Sequence, residues 1–400
     1  MSETARFCVK WLASIATLFA LIGLFNVAVD PYDIMGAPRV AGFNKFKVKA
    51  PYHTALAKLY QIRRIDPTTV IVGGSVANIG LDPESPLWPA AMRPVYNFGV
   101  PSMGPEGSYA ALKYAAAGGR VRNAIVILQF ETFLASHQET EGRNIPNNPS
   151  SVPRLDDYLL STLTLSALQD SINTVIHQRD RVPLDLAPDG AIGESGFHRM
   201  VQQYGQGDVF AQSENIEVND LAKFTALHTA LNQSITKLSD VRNIMEFCDA
   251  HGIALVFVIP PVHMTDLQMI DHAGIWNVYE LWLRSLTRLV TEHRPARIPL
   301  WDFGGYSSYT TEPAPEKDSK TVQTVWFWDI LHFKQKLGDL VLSRILQGQP
   351  SDFGFLLTPQ NVENELAMER EANDCSHGTS APSNGAGDPP SEACLRFSSH

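Results

Sequence analysis

Two short stretches of this chain carry residue types suited to acyl transfer. The first is Gly73-Gly74-Ser75, at the end of the apolar run Val70-Ile71-Val72; the second is Asp329-Ile330-Leu331-His332, more than 250 residues later. A serine hydroxyl is a poor nucleophile until a base takes its proton, and an imidazole base needs an acid partner to fix its tautomer. A separation of three residues, in a turn or a first helical turn, lets Asp329 and His332 face one direction. Ser75, His332 and Asp329 are therefore the candidate nucleophile, base and orienting acid. The plainer alternatives are a Ser75 that only caps the following helix and an Asp329 that caps another, with His332 on the surface.

Several elements must bring these residues together. Five short apolar runs read as buried parallel strands: Val70 to Val72, Val95 to Phe98, Ala124 to Phe130, Ala254 to Ile259 and Ile298 to Phe303. They lack the alternation of a half-exposed sheet, so both faces should be covered. Helical patterns at Pro105 to Ala117 and Asn219 to Ala250 stop at Gly118-Gly119 and His251-Gly252. Phe333, Leu337, Leu340, Val341 and Ile345 predict an amphipathic C-terminal helix that begins at the Asp-x-x-His pair. The alternation of strand and helix implies a three-layer α/β/α sandwich. Ligands bind such sheets beyond the carboxyl ends of the strands, which is where Ser75 falls.

The spacing breaks down between about 136 and 214, which holds one helical stretch, Leu155 to Ile176, among Pro, Asn, Gly and Asp clusters. That length marks an insertion, a lid or a partner surface. A second irregular stretch, Gly304 to Thr324, precedes the Asp-x-x-His pair, and both could border the site. The domain is expected over 66–348, after a linker and leading helix at 31–65. Residues 349–400 turn polar and are expected to form a disordered tail.

Trp11 to Val29 is apolar over 19 residues, enough to cross a hydrocarbon core of about 30 Å. Arg6 and Lys10 precede it and Asp30 and Asp33 follow, so the basic flank places residues 1–30 as a cytoplasmic stub and anchor with the remaining chain outside. A cleaved signal peptide is the alternative, although Ala28-Val29-Asp30 is a poor cleavage site. The composition, 44% hydrophobic and 18% charged, supports a large core, and a net charge of −10 without basic clusters excludes nucleic acid as a partner. Among four cysteines, Cys248 reads as a small core residue and Cys8 lies at the membrane edge. Cys375 and Cys394 are free to pair in an oxidising compartment, and the sequence leaves open whether they do.

With these motifs in hand, the chain resembles the SGNH/GDSL hydrolase superfamily. There the serine lies in a Gly-Asp-Ser block after the first strand and the last block reads Asp-x-x-His, matching Ser75, Asp329 and His332, with Gly74 in place of the usual Asp. The resemblance implies a five-stranded parallel, flavodoxin-like sheet. Its second block is matched by Asn97-Phe98-Gly99, with the Gly99 N–H as an oxyanion donor. The third block departs: where the family has Gly-x-Asn, this chain reads Gln129-Phe130-Glu131-Thr132. An ionised carboxylate cannot donate, so Asn78, about one helical turn after Ser75, is a substitute donor. Glu131 is either a ligand for a sugar hydroxyl or a surface carboxylate. His263, in Pro260-Pro261-Val262-His263, either lines the pocket or is a loop histidine satisfied by backbone carbonyls.

The anchor and these motifs together are similar to membrane-attached SGNH-like proteins of bacterial envelopes, some of which transfer acetyl groups to exported polysaccharides or alanyl groups to teichoic acids. The resemblance implies an inner-membrane, single-pass, periplasmic esterase or O-acyltransferase. Its partners would be an envelope glycan, an acyl donor and a membrane acyltransferase. The competing class is a catalytically degenerate fold that binds glycan or scaffolds an export complex. The sequence has no His-Glu-x-x-His and no Walker loop, so no metal or nucleotide cofactor is expected.

Overall fold

The apolar runs become a single, mostly parallel sheet. In the computed structural model, which describes residues 2–134, 136–139, 142–231, 235–293, 297–316, 324–348 and 352–376, the strands are β1 (Thr69–Gly73), β2 (Val95–Gly99), β3 (Asn123–Ile127), β4 (Ala254–Ile259), β5 (Leu300–Asp302) and β6 (Phe355–Leu356). Their order is β2-β1-β3-β4-β5-β6; β1 to β5 pair in parallel and β6 joins β5 antiparallel. The sheet thus has six strands, not five. The third run is shorter than expected because Phe130–Phe133 winds into a 3-10 turn.

Helices connect and flank these strands: α1 (Glu3–Val29), α2 (Thr54–Ile65), α3 (Ser75–Gly80), α4 (Pro105–Ala116), α5 (Leu155–Leu163), α6 (Leu165–Ile176), α7 (Ser195–Tyr204), α8 (Gln206–Leu231), α9 (Leu238–His251), α10 (Met264–His272), α11 (Trp276–Glu292), α12 (Gln335–Gln347) and α13 (Val362–Ser376). Helix α1 is long and apolar enough to cross a membrane. Alternate residues of a strand enter different apolar clusters, as the period of two requires. Val70 and Val72 pack with Leu112, Ile244 and Trp282 from α4, α9 and α11, whereas Ile71 packs with Val76 of α3 and Leu337 and Val341 of α12.

Three expectations need correction. The pattern over Asn219 to Ala250 is not one helix: α8 starts earlier, inside the insertion, and α9 begins separately at Leu238. Leu155 to Ile176 is likewise divided, because Thr164 leaves the helical conformation and accepts the Ala167 N–H (3.1 Å) to cap α6. The tail is ordered over 352–376, where β6 and α13 pack onto the domain. Val362, Leu366 and Ala372 put an apolar stripe on α13, and Glu369 and Asn373 on the same face bind the backbone and hydroxyl of Tyr306 (3.0 and 2.8 Å). Cys375 at the end of α13 is disulfide-bonded. Cys394 lies outside the described residues, as does the rest of the expected tail from 377 onward.

Candidate active site

Strand β1 ends at Gly73, whose φ of +150° is reserved for glycine, and the chain turns directly into α3 with Ser75 as its first residue. No side chain caps this helix. Gly74 allows a close approach: a Cβ there would lie 2.6 Å from the side-chain oxygen of Gln129, the movable end of that side chain. The Gln129 carboxamide therefore rests against the residue before the serine. β1 and β3 are adjacent while their helices diverge, and the carboxyl-end crevice at such a switch point is where doubly wound sheets bind ligands. Ser75 and Gln129 both occupy it.

The partners of Ser75 arrive on a different element from the one expected. Asp329 and His332 sit at the tip of a hairpin-like loop before α12, not at the helix start: Phe327 bridges Phe333, and the Trp328 N–H donates to His332 O (2.8 Å). Asp329 Oδ1 accepts the Leu331 and His332 N–H groups (2.9 and 2.7 Å), which holds the turn. His332 Nδ1 lies 3.0 and 2.9 Å from the two Asp329 oxygens, and Nε2 lies 2.8 Å from Ser75 Oγ. A nitrogen facing only carboxylate oxygens must carry the proton, so Nε2 is left as the acceptor for the serine O–H. Side-chain exposure is 17% for His332 and 7% for Asp329, so the ring is reachable while the acid is nearly sealed.

Buried polar groups that sequence reasoning did not single out fix this loop. Both Glu312 oxygens are used: Oε1 accepts the Trp326 and Phe327 N–H groups (2.9 Å each) and Oε2 that of Val325 (2.6 Å). Burial nevertheless raises its pKa. Gln206, at the start of α8, donates to Phe327 O (3.0 Å) and accepts the Thr324 N–H (2.9 Å). Glu194 accepts from the Trp328 indole (2.9 Å) and the Gln335 N–H (3.0 Å). Phe197 of α7 lies 5.1 Å from the His332 ring and stacks on Trp328. The insertion therefore borders the site through α7, as does the Gly304 to Thr324 stretch through Glu312.

The remaining candidates are held by other contacts, Asn78 through its oxygen alone, which leaves its Nδ2 to donate. Asn97 is structural: its Nδ2 donates to Ala77 O and Leu81 O (2.8 and 2.9 Å), pinning α3 to β2, and its Oδ1 accepts the Gly99 N–H (2.8 Å). The expected oxyanion donor Gly99 is thus already committed. Asn78 is buried and its Oδ1 accepts from the fully buried Lys58 Nζ (2.7 Å), which also donates to Gly99 O (2.5 Å). His263 does not line a pocket. It is buried, its Nε2 donates to Glu312 O (2.7 Å), and Nδ1 accepts the Thr265 N–H (3.2 Å) to cap α10. Burial lowers its pKa to about 4, so it stays neutral, and its backbone N–H holds Ile330 O (2.9 Å) inside the Asp329–His332 turn.

Glu131 is not a surface carboxylate. It joins Glu217 of α8 and Asp266 of α10, with one oxygen from each within 4.8 Å of one another. Burial raises all three pKa values, that of Glu131 to about 7. Carboxyls at this distance share protons or take up a cation. Compared with known proteins, the chain matches no family model, and no curated protein matches it in sequence.

Proposed function

We propose that the chain is a membrane-anchored, extracytoplasmic SGNH-like serine esterase or O-acyltransferase, a three-layer α/β/α domain acting on an acyl ester of a cell-envelope glycan. One observation carries the reading: Ser75 Oγ, His332 and Asp329 form a continuous chain of hydrogen bonds of 2.8 and 2.9 Å. His332 Nε2 takes the Ser75 proton as Oγ attacks the acyl carbonyl. Asp329 holds the imidazolium through Nδ1–H, and the resulting oxyanion is met by the Ser75 N–H, with the amide nitrogens of Asn78 and Gln129 as the further donors. The protonated ring then returns its proton to the leaving alkoxide. The acyl-serine passes its group to a sugar hydroxyl or to water by the same steps in reverse.

Anchoring by α1 places the domain beside a membrane-bound donor, which favours transfer over hydrolysis, with a membrane acyltransferase as the supplier of acyl groups. The disulfide at Cys375 supports an oxidising, extracytoplasmic compartment. The test is serine-dependent turnover and a covalent acyl adduct when an activated acetyl ester is offered to the protein, with Ser75→Ala as control. Absence of both would favour the second reading, a degenerate glycan-binding or scaffolding protein. That reading draws support from the engagement of the Gly99 N–H by Asn97.

A further inference from the structure

The segment between Asp157 and Asp170 has no charged residue, yet it presents Leu159, Leu160, Leu163 and Leu165 to solvent, Leu165 at 78% exposure. Leu155 and Ile172, on the same two helices, are 72% and 45% exposed. Soluble surfaces seldom carry so continuous an apolar face. Its place in the fold identifies what covers it. The α5–α6 turn lies against the last turns of α1: Asn26 Nδ2 donates to Thr162 O (2.8 Å), and a Cβ on Gly23 would sit 3.2 Å from Leu163 Cδ2.

Depth along α1 then fixes the depth of the turn. At about 1.5 Å per residue, an apolar stretch ending at Val29 needs nearly all of Trp11 to Val29 to cross a core of about 30 Å. Gly23 and Asn26 then lie inside the leaflet next to the domain, and Leu163 to Leu165 lie beside them. The turn is also built to leave water. Its hydroxyls are used within the helices, since Thr162 Oγ1 donates to Tyr158 O (2.6 Å) and Thr164 Oγ1 donates to Leu160 O (2.7 Å) while capping α6. Polar groups satisfied within the protein lower the cost of entering hydrocarbon. Of the flanking acids, Asp157 faces the Tyr60 hydroxyl and Arg154, and Asp170 the Tyr32 hydroxyl and Lys49, while Asp156 is exposed in the first turn of α5, at the end away from the α5–α6 turn.

We propose that the α5–α6 hairpin is a second membrane contact, immersed with the C-terminal part of α1 in the adjacent leaflet, so that the domain is held at two points and in one orientation. The inference rests on the reading of α1 as a membrane span, and the experiment separates the two. In full-length protein carrying Cys8→Ser, the single variants Leu160→Cys, Leu165→Cys, Leu18→Cys in α1 and Arg288→Cys on exposed α11 would be labelled with an environment-sensitive fluorophore. They would then be reconstituted into phosphatidylcholine–phosphatidylglycerol vesicles with or without brominated lipid. Labels at 160 and 165 should be quenched by brominated lipid at least half as strongly as at 18 and be protected from aqueous iodide, with the opposite pattern at 288. Lipid quenching at 18, with 160 and 165 as open to iodide as 288, overturns the second contact and leaves the anchor standing. Loss of lipid quenching at 18 overturns both. Protection of 160 and 165 from both quenchers means that protein, a second copy or another chain, covers the face, and it also overturns the proposal.

Discussion

Replacing Gln129 by alanine should lower kcat on an activated acetyl ester by about 10²–10³ and leave KM within a few-fold, the cost of one oxyanion donor. The magnitude follows from the donors around Ser75. The Gly99 N–H is held at 2.8 Å by Asn97 Oδ1, and Asn78 is anchored through its oxygen to Lys58. That leaves the Ser75 N–H, at the uncapped start of α3, the Asn78 Nδ2, which the Lys58 contact does not engage, and the Gln129 carboxamide lying against Gly74. Loss of one such donor corresponds to about 2.7–4 kcal/mol at the transition state and little in the ground state. Steady-state kinetics of the full-length protein in detergent would separate kcat from KM, with Gln129→Asn as a shortened amide expected to fall between wild type and alanine. If Gln129→Ala keeps kcat within threefold while Ser75→Ala abolishes turnover, Gln129 is not the donor and the reasoning fails.

Three other outcomes follow from the same geometry. Asp329→Asn should keep the turn, because one oxygen can still accept the Leu331 and His332 N–H groups, yet reduce kcat by about 10⁴ through the wrong imidazole tautomer; unchanged thermal unfolding beside lost activity is the signature. Gly74→Asp, which restores the residue common in the resembled superfamily, should displace only the movable end of Gln129 and cost less than about 1 kcal/mol, with Gln129→Ala removing that cost in a double-mutant cycle of melting curves; a larger loss that Gln129→Ala leaves unchanged would place the clash elsewhere. Burial raises the Glu131 pKa to about 7, whereas a free Glu side chain releases its proton near 4.5, so stability should fall as pH rises across that window. Glu131→Gln should flatten the slope in unfolding measured from pH 5 to 8, and an unchanged slope would assign it to other groups.

The sequence made the strands and the triad legible for a common reason: each depends on short-range order. Val70 to Val72 is buried on both faces and reads as an apolar run, and the Gly-Gly-Ser turn after it gains its meaning from the Asp-x-x-His pair near the other end of the domain. What stayed hidden depends on contacts between distant segments. Gln129 gains its place only because β3 lies beside β1, and Asn97 is diverted from the site by the helix it pins. Glu312 and Gln206 are ordinary polar residues until the hairpin at Val325 to Phe327 lends them its backbone. Helix α13 was obscured because its apolar stripe is narrow and the surrounding residues are charged, with Arg284 and Arg370 pairing to Glu363 and Glu280 across to α11. Glu131 looked like a surface group because the carboxyls that gather around it come from α8 and α10.

The 257 positions between Ser75 and His332 impose a timetable on synthesis. At about 5–20 residues per second, the ribosome delivers the imidazole roughly 13–50 s after the hydroxyl. Throughout that interval the nascent chain carries an inert alcohol, with no base to activate it and no hairpin to hold one. If Ser75 is the nucleophile proposed above, its reactivity is switched on only by closure of the finished domain, and a product truncated before His332 lacks the base that would activate it.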